Sequence, residues 1–69
     1  MLQHLLAGTE KRLAEIDQTI ERQREVIAKR GEAGLDATRE AALLTEFERF
    51  RHLVSNNREA LLAEIGRLQ

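Results

Sequence analysis

The chain has 69 residues, of which 11 are Lys or Arg and 12 are Asp or Glu, so its net charge is −1. This length allows one domain, and the absence of Cys excludes disulfides and thiolate metal sites. A charge this close to neutral gives no basic field that would draw the chain to nucleic acid or an acidic membrane. No apolar run approaches a membrane span, and no signal-peptide pattern follows Met1. We therefore expect a cytoplasmic protein with no membrane partner.

The first predicted element is a helix over about residues 2–33. Proline is absent, and residues that favour helices dominate the composition. Its apolar positions are spaced alternately by four and three, which is the heptad seam of a coiled coil. The predicted seam consists of Leu2, Leu6, Thr9, Leu13, Ile16, Ile20, Gln23 and Ile27. Leu5 and Val26 lie beside it, so the apolar stripe is wider than one facing helix can cover.

A turn is predicted over about residues 31–36, the only break in the helical pattern. Gly34 suits the left-handed position after a helix end, with Leu35 as the apolar contact of a Schellman motif. Asp36 then caps the second helix by accepting hydrogen bonds from its first backbone amides. Gly31 is the competing site for the helix end, and would make the loop longer.

The second predicted helix covers about residues 37–68. Its stripe has the same spacing and drifts by one residue near its end. The predicted seam consists of Leu43, Phe47, Phe50, Val54, Asn57, Leu61, Ile65 and Leu68. Leu44, Leu53 and Leu62 flank it, so this stripe is also too broad for one partner helix.

Folding the second arm back along the first places residues whose numbers add to about 70 opposite each other. Ile20 is then expected to face Phe50, with Ile16 facing Val54 and Ile27 near Leu43. The fold class predicted for residues 1–69 is all-α, an antiparallel two-helix hairpin. Because both stripes are too wide for one another, two hairpins are expected to pair as a homodimeric four-helix bundle.

Three polar residues interrupt the stripes, namely Thr9, Gln23 and Asn57. A polar residue in a coiled-coil seam costs stability but can fix register and oligomeric state. For Asn57 two interpretations stay open, one inside the seam and one at its edge. Thr9 also has an alternative role as an N-cap, which would detach residues 1–8 from the helix.

Several stretches resemble a group of short, uncharacterised bacterial proteins built as helical hairpins. They are Glu10-Lys11-Arg12, Arg22-Gln23-Arg24-Glu25-Val26-Ile27, Gly34-Leu35-Asp36-Ala37-Thr38, Leu43-Leu44 with Phe47-Glu48, and Arg58 with Leu61-Leu62. The chain departs from that group in its longer Gly31–Gly34 turn and in the order of His52-Leu53. The resemblance implies a hairpin fold and assigns no activity.

Metal binding and catalysis have weak support in the sequence. Glu48 and His52 share a helix face, and Asp17 and Glu21 are expected near them across the hairpin. Di-metal bundles instead use paired Glu-x-x-His motifs that point inward, and none occurs here. Ser55 follows His52 by three residues, without a third group or an apolar pocket. We predict a solvated ion-pair face, no metal or other cofactor, and no enzymatic activity.

Nucleic-acid binding rests on a basic cluster of Arg22, Arg24, Lys29 and Arg30, with acidic residues interleaved. Tyr and Trp are absent and both Phe residues fall on the apolar stripe, so no base-stacking platform is expected. The leading prediction is a small self-associating scaffold or protein-interaction module. The alternative, from fold analogy alone, is a hairpin dimer that binds RNA by shape.

Overall fold

In the computed structural model, which describes all 69 residues, the chain forms two helices and no strand. Helix α1 spans Leu2–Glu32 and helix α2 spans Thr38–Leu68. The two helices pack against each other along their length, and their ion pairs show that they run antiparallel. The predicted all-helical hairpin is therefore confirmed. Neither helix has the combination of length and apolar character that crossing a bilayer requires.

Gly34 ends α1 in a left-handed conformation, with φ at 73°. The Gly34 N–H donates to the Gly31 carbonyl at 3.1 Å, and the Leu35 N–H donates to the Arg30 carbonyl at 2.8 Å. These are the two hydrogen bonds of a Schellman motif, which satisfy the free carbonyls of the last turn. Gly31 lies inside α1, in the last helical turn.

Asp36 and Arg30 connect the end of α1 to the start of α2. The Asp36 carboxylate accepts hydrogen bonds from the Thr38 backbone N–H at 3.0 Å and the Thr38 hydroxyl at 2.6 Å. Arg30 Nε donates to the Asp36 carbonyl at 2.9 Å and lies 3.3 Å from Glu40 Oε1. Polar contacts thus hold both sides of the turn in place.

The two turn glycines are expected to respond in opposite ways to substitution by alanine. Gly34→Ala should lower the free energy of unfolding by roughly 1 kcal/mol or more, since a β-carbon is disfavoured at positive φ. Gly31→Ala should raise it by up to about 1 kcal/mol, because the site is helical and open space surrounds the added β-carbon. Urea denaturation followed by circular dichroism measures both changes. The reverse order of effects would place the end of α1 at Gly31.

One row of residues on each helix faces the other helix, and we call these the inner rows. The inner row of α1 is Leu2, Leu6, Thr9, Leu13, Ile16, Ile20, Gln23 and Ile27, all buried or half-buried. That of α2 is Glu40, Leu44, Phe47, Arg51, Val54, Arg58, Leu61 and Ile65, with the same burial. Only Thr9, Ile20 and Val54 are buried, with 5–8% of their surface exposed, so the core of the hairpin is a narrow strip.

The inner row of α2 omits four residues of the predicted seam, namely Leu68, which is 70% exposed, and three residues within the row. Leu43, Phe50 and Asn57 are exposed in the single chain. Each is replaced in the row by the residue that follows it in sequence. Two of the replacements are arginines, whose aliphatic stems can cover apolar surface while their charged ends reach water and carboxylates. Within the single hairpin these three residues therefore do not face α1, and their predicted place in a dimer seam stays a prediction.

The predicted cross-helix pairs shift with the seam. Phe50 shares a groove with Ile16, not with the buried Ile20. On α2, Glu48 and Arg51 lie around Ile20. Because 43% of its surface is exposed, Phe50 does not form the expected buried pair with Ile20 in the core of the hairpin.

The polar residues of the α1 inner row have hydrogen-bond partners. The Thr9 hydroxyl donates to the Leu5 carbonyl at 2.9 Å, which satisfies it within α1. The Gln23 side-chain amide donates across the hairpin to the Glu40 carbonyl at 2.9 Å. Thr9 lies within the continuous helix α1, so it does not cap a detached helix.

Candidate interaction surface

Ion pairs between the helices line one long edge of the hairpin, which we call the ionic edge. Its three pairs are Glu10–Arg58 at 3.6 Å, Asp17–Arg51, and Arg24–Glu48 at 3.6 Å. The acid lies on α1 in the first two pairs and on α2 in the third. Both partners of each pair remain at least one-third exposed, so solvent screens these interactions. Their contribution to stability is small.

The ionic edge favours one register of the two helices. Sliding α2 by one heptad so that Arg58 meets Asp17 brings Arg51 opposite Arg24, two like charges. Sliding it the other way leaves Asp17 opposite the apolar Leu44. Charge patterns of this kind select alignment more than they add stability.

Two carboxyl groups, those of Asp17 and Asp36, have a lowered pKa in the folded chain. The hydrogen bond from Arg51 lowers the pKa of Asp17, and the same contact raises the pKa of Arg51. The hydroxyl and the amide of Thr38 lower the pKa of Asp36. Because each pKa is lowered, the stabilisation from these contacts is fully present when the pH is above the ordinary pKa of an Asp carboxyl. It is lost as the pH falls through the folded pKa.

Acid should therefore destabilise the hairpin as the pH falls below about 4, the ordinary range of an Asp carboxyl. In Asp17→Asn, the melting temperature should fall less steeply over that range because one of the two shifted carboxyls is gone. Glu25→Gln, a change at an exposed position of the same helix, is the matched control. Melting curves between pH 2 and 7 measure the effect. Equal acid sensitivity in both variants would mean that the Asp17–Arg51 contact does not form in solution.

The opposite edge of the hairpin carries exposed apolar side chains among charged ones. Phe50 is 43% exposed, Leu43 is 47% exposed and Leu53 is 65% exposed, all on α2. Phe50 lines a groove with Thr19 of α1, and Val26 lies seven residues after Thr19 on the same side, also exposed. We call Val26, Leu43, Phe50 and Leu53 the apolar patch.

The residues considered for metal binding lie on the ionic edge. Asp17, Glu21 and Glu48 surround one surface depression together with Arg24 and Arg51. The two arginines pair with all three carboxylates. No three residues of His, Asp or Glu come close enough together to hold a metal ion. The arrangement suits a solvated ion-pair network.

The Ser55 and His52 side chains are not joined by a hydrogen bond, and His52 is exposed on α2. Ser55 borders a surface depression beside Arg51 and Arg58. Nucleophilic catalysis needs a base within hydrogen-bond reach of the hydroxyl. This arrangement gives Ser55 no activating partner.

The basic cluster is partly neutralised. Arg24 lies 3.8 Å from Glu21 and 3.6 Å from Glu48, and Arg30 pairs with Glu40. These pairs lower the positive field that could attract phosphate groups.

Comparison with protein-family models, curated proteins and solved structures gives no match to this chain. Membership of the bacterial helical-hairpin group that the sequence resembles therefore stays a prediction. The packing of the hairpin leaves the apolar patch uncovered, and Leu5, Leu35 and Leu68 are also exposed.

Proposed function

We propose that this protein is a non-enzymatic interaction module that self-associates through its apolar patch, forming a homodimeric four-helix bundle. The observation that carries the proposal is the large surface of the single hairpin. Its accessible surface is 5366 Å², whereas a compact monomer of 7.9 kDa exposes about 4,400 Å².

The excess of about 1,000 Å² is close to the surface that each partner loses in a standard protein interface, about 800 Å². The shape agrees with this comparison. The hairpin measures 55 × 15 × 12 Å and has a radius of gyration of 16.1 Å, against about 11 Å for a compact domain of this length. A second copy packed along the hairpin would cover part of its surface and make the assembly thicker. The accessible surface and the radius of gyration would then both be closer to those of a compact protein of the same mass.

The two edges of the hairpin differ in what they can bind. On the ionic edge, acidic and basic side chains already pair within the chain. On the other edge, the large apolar side chains of the apolar patch are 43–65% exposed. Exposed apolar surface that is rimmed by polar residues marks interaction sites in soluble proteins. We therefore assign the self-association to the apolar patch.

A capture experiment tests the proposal. Immobilised tagged chain should retain a second, differently tagged copy of the same chain, and Phe50→Glu in both copies should abolish this retention. Asn56→Glu adds the same charge at an exposed position outside the patch and should leave retention intact. Circular dichroism confirms that each variant is helical. Absence of retention for the unmodified chain, or equal loss in both variants, would contradict the proposal. Salt-dependent retention of RNA in its place would support the nucleic-acid alternative.

A further inference from the structure

We propose that α2 of one copy packs antiparallel against α2 of the second copy, with the two-fold axis between Phe50 and Leu53. This inference rests on the self-association proposed above and specifies its geometry. It derives from a second row of residues on α2, the outer row, which runs beside the inner row.

Each residue of the outer row comes one position before a residue of the inner row. The outer row consists of Arg39, Leu43, Glu46, Phe50, Leu53, Asn57, Ala60 and Glu64. One residue turns a helix by about 100°, so the outer row faces sideways from the hairpin. It keeps the alternating spacing of four and three that a coiled-coil seam requires. The spacing reads the same in both directions from its centre, so two copies of the row can face each other antiparallel in one register.

In that register, residues whose numbers add to 103 meet across the interface. Phe50 lies against Leu53 of the second copy, and Leu43 lies against Ala60. Each contact occurs twice because the axis is two-fold. Leu43, Phe50 and Leu53 are 47%, 43% and 65% exposed in the single hairpin. The centre of the interface is therefore apolar, and large side chains there face smaller ones.

The polar residues of the outer row are complementary in charge and hydrogen bonding in the same register. Arg39 meets Glu64 of the second copy, which pairs opposite charges. Glu46 meets Asn57, whose side-chain amide can donate to the carboxylate. This register gives a role to Asn57, which is exposed in the single chain. A parallel arrangement would instead place Arg39 against Arg39 and Glu46 against Glu46, so like charges would repel.

Helix α1 offers a poorer surface on this side of the hairpin. Its residues at the groove beside Phe50 include Arg12 and Glu15, both exposed and charged. Charged residues are depleted at the centres of protein interfaces, where aromatic residues are enriched. The centre of the contact therefore falls on α2.

Cross-linking tests the orientation, because the chain has no Cys of its own. Leu43→Cys and Ala60→Cys are made in separate chains, one with a tag that changes its mass. Under mild oxidation the mixture should give a disulfide-linked heterodimer, and neither variant alone should cross-link efficiently. Within one antiparallel pair, the two copies of position 43 are 17 residues apart along the axis, about 25 Å, beyond disulfide reach.

A charge exchange provides a second readout. Arg39→Glu and Glu64→Arg should each weaken the dimer roughly tenfold, since each places like charges together at two sites. The double variant should recover most of the lost affinity. Efficient self-linking of the Leu43→Cys chain would overturn the antiparallel orientation while self-association stands. A dimer that shows neither the mixed disulfide nor the charge rescue would overturn this interface alone. An unmodified chain that stays monomeric would overturn the proposed function as well.

Discussion

Replacing Ile20 with alanine is expected to lower the free energy of unfolding by about 2–5 kcal/mol, the range for removing a large buried aliphatic side chain. Ile20 is the most buried residue of the chain, with 5% of its surface exposed. It lies near the middle of α1, so the substitution leaves a cavity that has helix on both sides of it along the hairpin. Urea denaturation followed by circular dichroism measures the loss.

Leu68→Ala is the control for this prediction, since Leu68 is 70% exposed. Its change should stay within about 0.5 kcal/mol, as for most surface substitutions. Equal effects of the two substitutions would show that the narrow strip around Ile20 is not the core of the hairpin.

Replacing Phe50 with alanine is expected to cost about 3–5 kcal/mol per site when a second copy covers it. In the single chain Phe50 still has 43% of its surface exposed, so a monomer would lose much less. The loss occurs twice in a two-fold dimer. Melting curves at several protein concentrations separate the two cases, because the melting temperature of a dimer rises with concentration.

Leu62→Ala is the matched comparison, because Leu62 is also partly exposed, at 36%, and lies outside the apolar patch. It should lower the melting temperature less and leave the concentration dependence unchanged. An unchanged melting temperature in Phe50→Ala would mean that Phe50 faces solvent in the assembled protein.

The hairpin was predictable from the sequence because its signals are local. Proline is absent, each arm has a regular apolar spacing, and one glycine-containing stretch separates the arms. The turn could be anticipated for the same reason, since Gly34 is free to take positive φ. Asp36 accepts a hydrogen bond from the Thr38 N–H, but Ala37 is the N-cap residue of α2, so Asp36 lies one position before the predicted cap.

The facing row of α2 was not predictable from apolar spacing alone. Adjacent pairs such as Leu43-Leu44 and Leu53-Val54 fit two overlapping rows that differ by one residue. Which of the two rows faces α1 depends on Arg51 and Arg58. These arginines lie in the inner row and pair with Asp17 and Glu10 across the hairpin. That is a tertiary interaction, and the period of the apolar residues carries no sign of it.

The charged residues carry a sequence signal for this pairing between the helices. Glu10, Asp17 and Arg24 recur every seven residues, as do Arg51 and Arg58. Charges with the heptad period mark the flank of a coiled-coil contact. This period predicts the ionic edge, but it places Arg51 and Arg58 beside a seam and does not by itself remove Phe50 from that seam. The width of the stripes indicated a further contact, and only the fold shows which edge remains open for it.

Sedimentation equilibrium of the unmodified chain at micromolar concentration tests self-association most directly. The proposed dimer predicts a mass of twice the 7.9 kDa of one chain, with partial dissociation on dilution and a melting temperature that rises with concentration. A mass of 7.9 kDa with full helicity, and a sharp melt that does not depend on concentration, would contradict self-association.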